Sequence, residues 1–538
     1  MTYKNKNIHR VTIFLLLLFA FFNNKAQIKF STDFESGSLA DYRLVDSTWN
    51  KDYAMPCLSY LITSKSDPLN PVDTTLAPSA RWFFFCMTGV KDKQIILNFN
   101  ETDPLRPVYS YDKVNYERFA GIADTCTLHR EIEDDRPCYL FMQRFTKDTV
   151  YVAYFIPYDY SYLQKRINNW IQYPYVKFDT IGYSRKGLPM QMLTITDSSV
   201  PDSQKKKVWI HGRIHPSESP ASWHLDGFID ALVANTSQAI AYRKAMTLYI
   251  VPFANPDGVV EGLSRSNSTG VNIEINWAKP EEQTEPEVRA LKATMEKITT
   301  DRPFDMQLNM HSQTINNVTY WVHTASSTSD YFYKKELKLC YFTMFDRTYF
   351  GKEDLVFSDL AERYAEGWAW NRAGDKTLAL TFETPYTYYN NNPNLWLTSE
   401  NLRNFGAISL TAVGDYFGIS SPDRIYLSNR NAKAKNAWEK IDYLPKASYP
   451  DILLLDDLLV KAKKKGSTIS YSTGKLLAGT YKIYRWIPGS VTNHQDESNN
   501  FWKPIALHTQ KKTGTFELKL KATEAGELFD ALLLVRER

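Results

Sequence analysis

The chain has 538 residues, with 64 Lys and Arg against 60 Asp and Glu, 43% hydrophobic and 14% aromatic residues, and five cysteines. That length suits roughly three domains with filled cores, and the hydrophobic and aromatic content excludes a disordered or collagen-like chain. A net charge of +4 gives no reason to expect nucleic acid as a partner, and five cysteines exclude a disulfide framework as the main support of the fold.

Lys4, Lys6 and Arg10 precede an apolar run from Val11 to Phe22, and a polar stretch then ends at Lys25-Ala26-Gln27. A charged start, a 12-residue apolar centre and a small residue predict a signal peptide, residues 1–26, cleaved after Ala26. Asn24 departs from the small residue preferred three positions before such a cut. The run is shorter than the ~20 apolar residues a spanning helix needs, and no later segment is long and apolar enough. The mature chain is therefore expected to be exported, periplasmic or extracellular, without a membrane span. Cleavage removes Lys4, Lys6, Arg10 and Lys25 and no acid, so 60 of the 64 basic residues remain against 60 acids.

Residues 27–158 read as an N-terminal β-sandwich. Runs such as Arg81–Cys86, Gln94–Phe99 and Asp148–Phe155 are rich in aromatic and β-branched residues, with Asn, Asp, Gly and Pro clusters between them. Cys126 and Cys138 flank a turn-like Glu133–Pro137 and suit either a disulfide or two free thiols. Residues 159–418 alternate short apolar strands (Val208–Ile210, Thr247–Val251, Met306–Leu308, Leu378–Phe382) with helical stretches (Ser222–Val233, Glu285–Ile298), which predicts an α/β domain with a mixed sheet. Residues 419–538 read as a C-terminal β-rich module, and the run Lys461–Gly466 in it as a solvated turn.

Within the central domain, His211-Gly212-Arg213-Ile214-His215-Pro216-Ser217-Glu218 directly follows a strand, and Asn309-Met310-His311-Ser312 follows another. His215 and Glu218, three apart at a strand's carboxyl end, can reach one metal ion, with His311 as a third ligand from a second strand end. His211 is a competing ligand. Ala254-Asn255-Pro256-Asp257-Gly258 follows a strand, Arg265 precedes Gly270 by five, and Leu380-Thr381-Phe382-Glu383-Thr384 sets one carboxylate in an apolar strand, which is costly unless the group has a partner or a task.

The order His-Pro-x-Glu, Asn-Pro-Asp-Gly, Arg, strand-end His and Thr-Phe-Glu resembles the zinc carboxypeptidase family of metallopeptidases, and its wording is most similar to the cytosolic-carboxypeptidase branch, which also carries an N-terminal β-sandwich. The likeness spans roughly residues 28–418. It implies a mixed-sheet zinc-carboxypeptidase domain holding one zinc ion on His215, Glu218 and His311. It also implies Glu383 as general base and acid, Arg265 as donor to the developing oxyanion, and a peptide or amide-containing substrate. The family's lid tyrosine has Tyr364 as one candidate.

One stretch departs from the family's Asp-Leu-Asn-Arg: the chain reads Asn272-Ile273-Glu274-Ile275. Asn272 stands where an Asp orients a ligand histidine. Glu274 and Ile275 stand where Asn and Arg grip a terminal carboxylate, and Ile cannot form the bidentate pair that suits Arg to that task. Glu274, Ile275 and Ser312 are thus expected in the substrate pocket, and the leaving portion is expected to lack a free α-carboxylate or to carry a basic group. Arg213 is an alternative grip. His224 is expected as a packed core histidine, and Trp277, Trp368 and Trp370 as core or cleft lining. Three functions remain open from sequence: a zinc peptidase or amidase, a zinc esterase or deacylase on cell-wall or glycoconjugate substrates, and a catalytically impaired binding module. Oligomeric state is not legible.

Overall fold

The chain's computed structural model describes residues 28–100, 106–123, 138–345, 348–351, 354–389, 392, 395–434, 437–442, 452–453, 458–486, 489–490 and 502–537. The signal-peptide expectation and Cys126 lie outside the described residues, as does the Cys138 side chain. Contacts divide the chain into two compact units: the described parts of Met1–Lys65 with Arg81–Tyr154, and those of Ser66–Ala80 with Phe155–Arg538.

The first unit is built from two five-stranded sheets. In one, Lys29–Ser31, Phe84–Thr88, Thr149–Ala153, Val108–Ser110 and Tyr116–Arg118 lie side by side; in the other, Asp41–Asn50, Met55–Thr63, Lys93–Asn100, Cys138–Phe145 and Gly121–Ala123. Aromatic rings from the two inner faces interleave. Phe83 stacks on Phe99 with centroids 4.5 Å apart, and Tyr109 meets Phe145 edge-on at 5.4 Å. Such pairs contribute beyond their buried area, and with Phe30 against Tyr60 they form the centre of a sandwich.

The second unit is organised around an eight-stranded mixed sheet. In chain order its strands are β1 (Val176–Tyr183), β2 (Pro189–Ile195), β3 (Lys206–Gly212), β4 (Met246–Val251), β5 (Met306–Gln313), β6 (Thr319–His323), β7 (Leu355–Ser358) and β8 (Leu378–Pro385). Their order across the sheet is β1-β2-β4-β3-β5-β8-β6-β7. The central strands β4, β3, β5 and β8 run parallel, with Ile210 opposite Leu308 and His311 opposite Glu383. Helices cover both faces, so these strands are buried almost along their whole length and read as continuous apolar runs.

On one face, helix α1 (Ser219–Val233) packs against α2 (Ser399–Tyr416). The two backbones approach so closely that a Cβ on Gly227 would fall on the Arg403 carbonyl, and one on Gly406 on the His224 carbonyl. His224 sits here as the sequence suggests: its ring packs on both Phe382 and Phe405, and Nε2 meets Ser409 Oγ at 2.8 Å. The C-terminal residues form four small sheets, the largest ordering Arg424–Leu427, Leu532–Arg536, Gly479–Trp486 and Trp502–Gln510. Trp486 and Trp502 pack on Tyr341 and Phe342, and the buried Arg424 guanidinium holds Asp415 at the end of α2. No helix among the described residues is long and apolar enough to cross a membrane.

Candidate metal centre

The carboxyl ends of β3, β5 and β8 converge at one point, and the chain turns sharply where β3 ends. Arg213 adopts φ +56°, in the left-handed region that β-carbon sterics disfavour. Its buried guanidinium holds the turn, with Nε donating to the Pro216 carbonyl at 2.7 Å and Nη1 to the Tyr158 carbonyl and Ser222 Oγ, both at 2.9 Å. Arg213 is thereby committed to the loop and is not a substrate grip. The turn delivers His215 and Glu218 beside His311, and all three are buried.

Glu218 touches both imidazoles: Oε1 lies 2.8 Å from His215 Nδ1, and Oε2 lies 2.9 Å from His311 Nδ1. One ligand atom from each of the three residues lies within 4.8 Å of the other two. The outer ring nitrogens face acceptors. His215 Nε2 is 3.2 Å from Asn272 Oδ1, and His311 Nε2 is 3.3 Å from Glu274 Oε2. With Nδ1 of each ring bare, the two nitrogens and the Glu218 carboxylate can share one cation between them. Two imidazoles and one carboxylate suit zinc in number and kind, and the outer partners supply the support that fixes each tautomer.

Electrostatics follow this geometry. Burial pushes the Glu218 carboxyl up, but His215 and His311 outweigh it and hold it well below the usual range. Burial lowers both histidines. In His311, facing Glu274 and Glu218 together, the two carboxylates win and the pKa rises well above normal, whereas His215, with one carboxylate and Arg265 nearby, stays lowered. Glu383 lies in register with His311 on the adjacent strand. Its Oε2 is buried without a hydrogen-bond partner among the described residues, and burial pushes its pKa up to about 8. The Arg265 charge pulls against that rise and also lowers His215.

Two residues expected in the substrate pocket occupy other positions. Ser312 is buried: its backbone N–H donates to Glu218 Oε2 at 3.1 Å, and its hydroxyl accepts from the Ala221 N–H at the start of α1. Glu274, also buried, faces His311 and accepts from Asn309 Nδ2 at 3.0 Å. Ile275 ends the same single turn, half-buried. Asn272 lies where the family pattern sets an orienting acid, with its amide oxygen toward His215. His211 is fully buried, its Nδ1 accepting from Trp209 Nε1 at 3.1 Å, and does not join the cluster. Trp277 and Trp368 pack in the core on this side, and Tyr364 precedes helix α3 (Ala365–Ala373).

Sequence reasoning missed Asn309, which braces Glu274, and Glu366, a buried acid accepting from Thr381 Oγ1 at 2.7 Å. The signal for Glu366 was the one used for Glu383, a lone carboxylate in an apolar stretch, here Ala365-Glu366-Gly367-Trp368.

A mixed sheet that gathers His, Glu and His at its parallel strand ends, with a carboxylate one strand over, has the architecture of a zinc metallopeptidase. Residues 166–401 match the zinc carboxypeptidase family. Cytosolic carboxypeptidase 6 of Mus musculus is 26% identical over 318 residues, covering 55% of this chain and 55% of that protein. An uncharacterized protein of Zymomonas mobilis is 28% identical over 230 residues, covering 42% of this chain and 58% of its own. The fold matches a crystallised metallo-carboxypeptidase from Burkholderia cenocepacia with TM-score 0.58 and 22% identity, covering 72% of this chain and 98% of that one. The central region is thus a zinc carboxypeptidase domain, homologous to the cytosolic carboxypeptidases and set between β-rich sheets. The chain spans a little over half the length of these two curated relatives.

Proposed function

We propose that the protein is an exported, zinc-dependent hydrolase of peptide or amide bonds, with one ion held by His215, Glu218 and His311. A zinc ion there supplies Lewis acidity, polarising an amide carbonyl and making water more acidic. Glu383 takes the proton from the attacking water and returns it to the departing amine. Arg265 donates to the carbonyl oxygen as negative charge develops. Asn272 and Glu274 fix the two rings from outside, and Ser312 steadies the Glu218 carboxylate. The observation that carries this reading is the pairing of the His215–Glu218–His311 cluster with Glu383, in register on the next strand, whose Oε2 has no hydrogen-bond partner among the described residues.

The substrate's leaving portion lacks a free α-carboxylate. Ile275 offers no charge where the family sets its gripping Arg, Arg213 is spent on the loop, and Glu274 adds negative charge beside the site. Assaying paired peptides with free and amidated C-termini tests this. Turnover of the amidated member at least equal to that of the free one is expected, and a strong preference for free C-termini would sink the reading. Export is tested by N-terminal sequencing of protein recovered outside the cytoplasm, where Gln27 is the expected first residue.

A further inference from the structure

We propose that Asp67 is a positioning residue for Arg265, acting from a strap of chain, residues 66–80, laid against the loop that carries the arginine. The inference rests on the hydrolase reading above. The Asp67 carboxylate is 5% exposed and accepts three consecutive backbone N–H groups: Ser264 at 2.6 Å, Arg265 at 2.8 Å and Ser266 at 2.8 Å. Three successive amides converging on one anion curl the backbone into a small concavity, and bonds to an ionised acceptor are among the stronger ones available to a loop.

The strap is itself held closed, with the Asp67 N–H donating to the Ser79 carbonyl at 2.7 Å. It fits the loop only because residue 270 is glycine. Gly270 has φ +87°, and a Cβ there would fall on the Pro68 and Leu69 carbonyls. From the opposite side, Ser217 Oγ donates to the Ser264 carbonyl at 2.7 Å, and Asn255 Nδ2 donates to the Ser266 carbonyl at 3.1 Å. The loop's amides are therefore fixed by the strap, while its carbonyls are fixed by Ser217, one residue from Glu218, and by Asn255. Arg265 is exposed, and its backbone is the part of it the fold holds in place. A guanidinium on a long flexible stem reaches a reacting oxygen reproducibly only from a fixed base, and a displacement of about 1 Å can cost ~100-fold in rate.

The test uses the zinc-loaded full chain and a furylacryloyl-blocked dipeptide amide as probe, with steady-state kinetics alongside amide hydrogen exchange over residues 264–266. Asp67→Asn is expected to lower kcat roughly 10–100-fold, with KM within about twofold and zinc content unchanged, since only transition-state contacts are lost. Asp67→Ala, which keeps no acceptor where Asn still keeps Oδ1, should lower kcat at least as far. In an Arg265→Ala background the same Asp67 substitutions should change kcat less than about twofold, because the residue acts through Arg265. Exchange at the three amides should rise about tenfold or more. Equal losses in both backgrounds, or unchanged exchange, would overturn the proposal. A wild-type chain that holds zinc but hydrolyses no peptide or amide would instead fail the hydrolase reading, with exchange still deciding whether Asp67 fixes the loop.

Discussion

Each histidine of the candidate centre turns its far nitrogen toward an acceptor, and the two acceptors differ in charge. His215 faces the neutral amide of Asn272, and His311 faces the carboxylate of Glu274. A neutral acceptor fixes a tautomer but adds no charge to the ring, whereas a carboxylate also raises ligand basicity. Glu274 therefore takes up much of the task that an acid at position 272 would perform. Replacing Glu274 with Gln should weaken zinc binding about 10–100-fold in a chelator competition, in the range known for such outer partners. If Glu274 served the substrate instead, zinc affinity would hold and KM for a cationic amide would rise. The sequence led to this residue through a departure from the family pattern, yet its orientation toward His311 was not legible. Adjacent residues on a single turn point to different sides, and only the placement of β5 decides which side holds the ligand.

Among the elements, the parallel strands were the easiest to read. Val208–Ile210, Met306–Leu308 and Leu378–Phe382 are apolar because both faces are covered, and all three recur inside observed strands. Their polar ends, His211-Gly212 and His311-Ser312-Gln313, continue the ladder although the apolar run has stopped. Contacts between residues far apart in the chain left no trace in the sequence. Asp67 meets Arg265 across 198 positions, and the α1–α2 crossing depends on Gly227 and Gly406, each of which looks like an unremarkable helix glycine on its own. Overpacking costs about 1–3 kcal/mol, and here the obstacle is backbone, while Ala in a helix returns about 1 kcal/mol. Gly406→Ala should therefore lose about 1–2 kcal/mol in thermal unfolding. Gly474→Ala, which meets open space, should change stability by less than about 0.5 kcal/mol.

At the scale of the whole molecule, buried neutral histidines lose stability in acid, while buried acids with raised pKa values, such as Glu336 and Glu366, act in the opposite direction. Burial lowers the His224 pKa to about 3 and that of His323 to about 4. In the unfolded chain both titrate near ~6.5, so between those values the unfolded state binds protons that the folded state refuses. The contribution of these two residues is thus fully present above about pH 6.5 and falls as pH drops, by about 1.4 kcal/mol per pH unit for each histidine. In calorimetric unfolding below about pH 6.5, the slope for His224→Gln should be less positive than that of the wild type by about 1.4 kcal/mol per pH unit; an unaltered slope would mean that His224 charges within the fold. The charge balance read from the sequence, 60 against 60 if residues 1–26 are cleaved, offers no bulk attraction for an acidic substrate, which leaves selectivity to the site. The central claim is that His215, Glu218 and His311 hold one catalytic zinc for which Glu383 moves the proton. Its most direct test is zinc content and turnover of the same amidated peptide, measured together on the wild type and Glu383→Gln. The account predicts one zinc per chain in both, with turnover about 100–10,000-fold lower in the variant. Equal turnover at equal zinc, or a wild type that binds none, would contradict it.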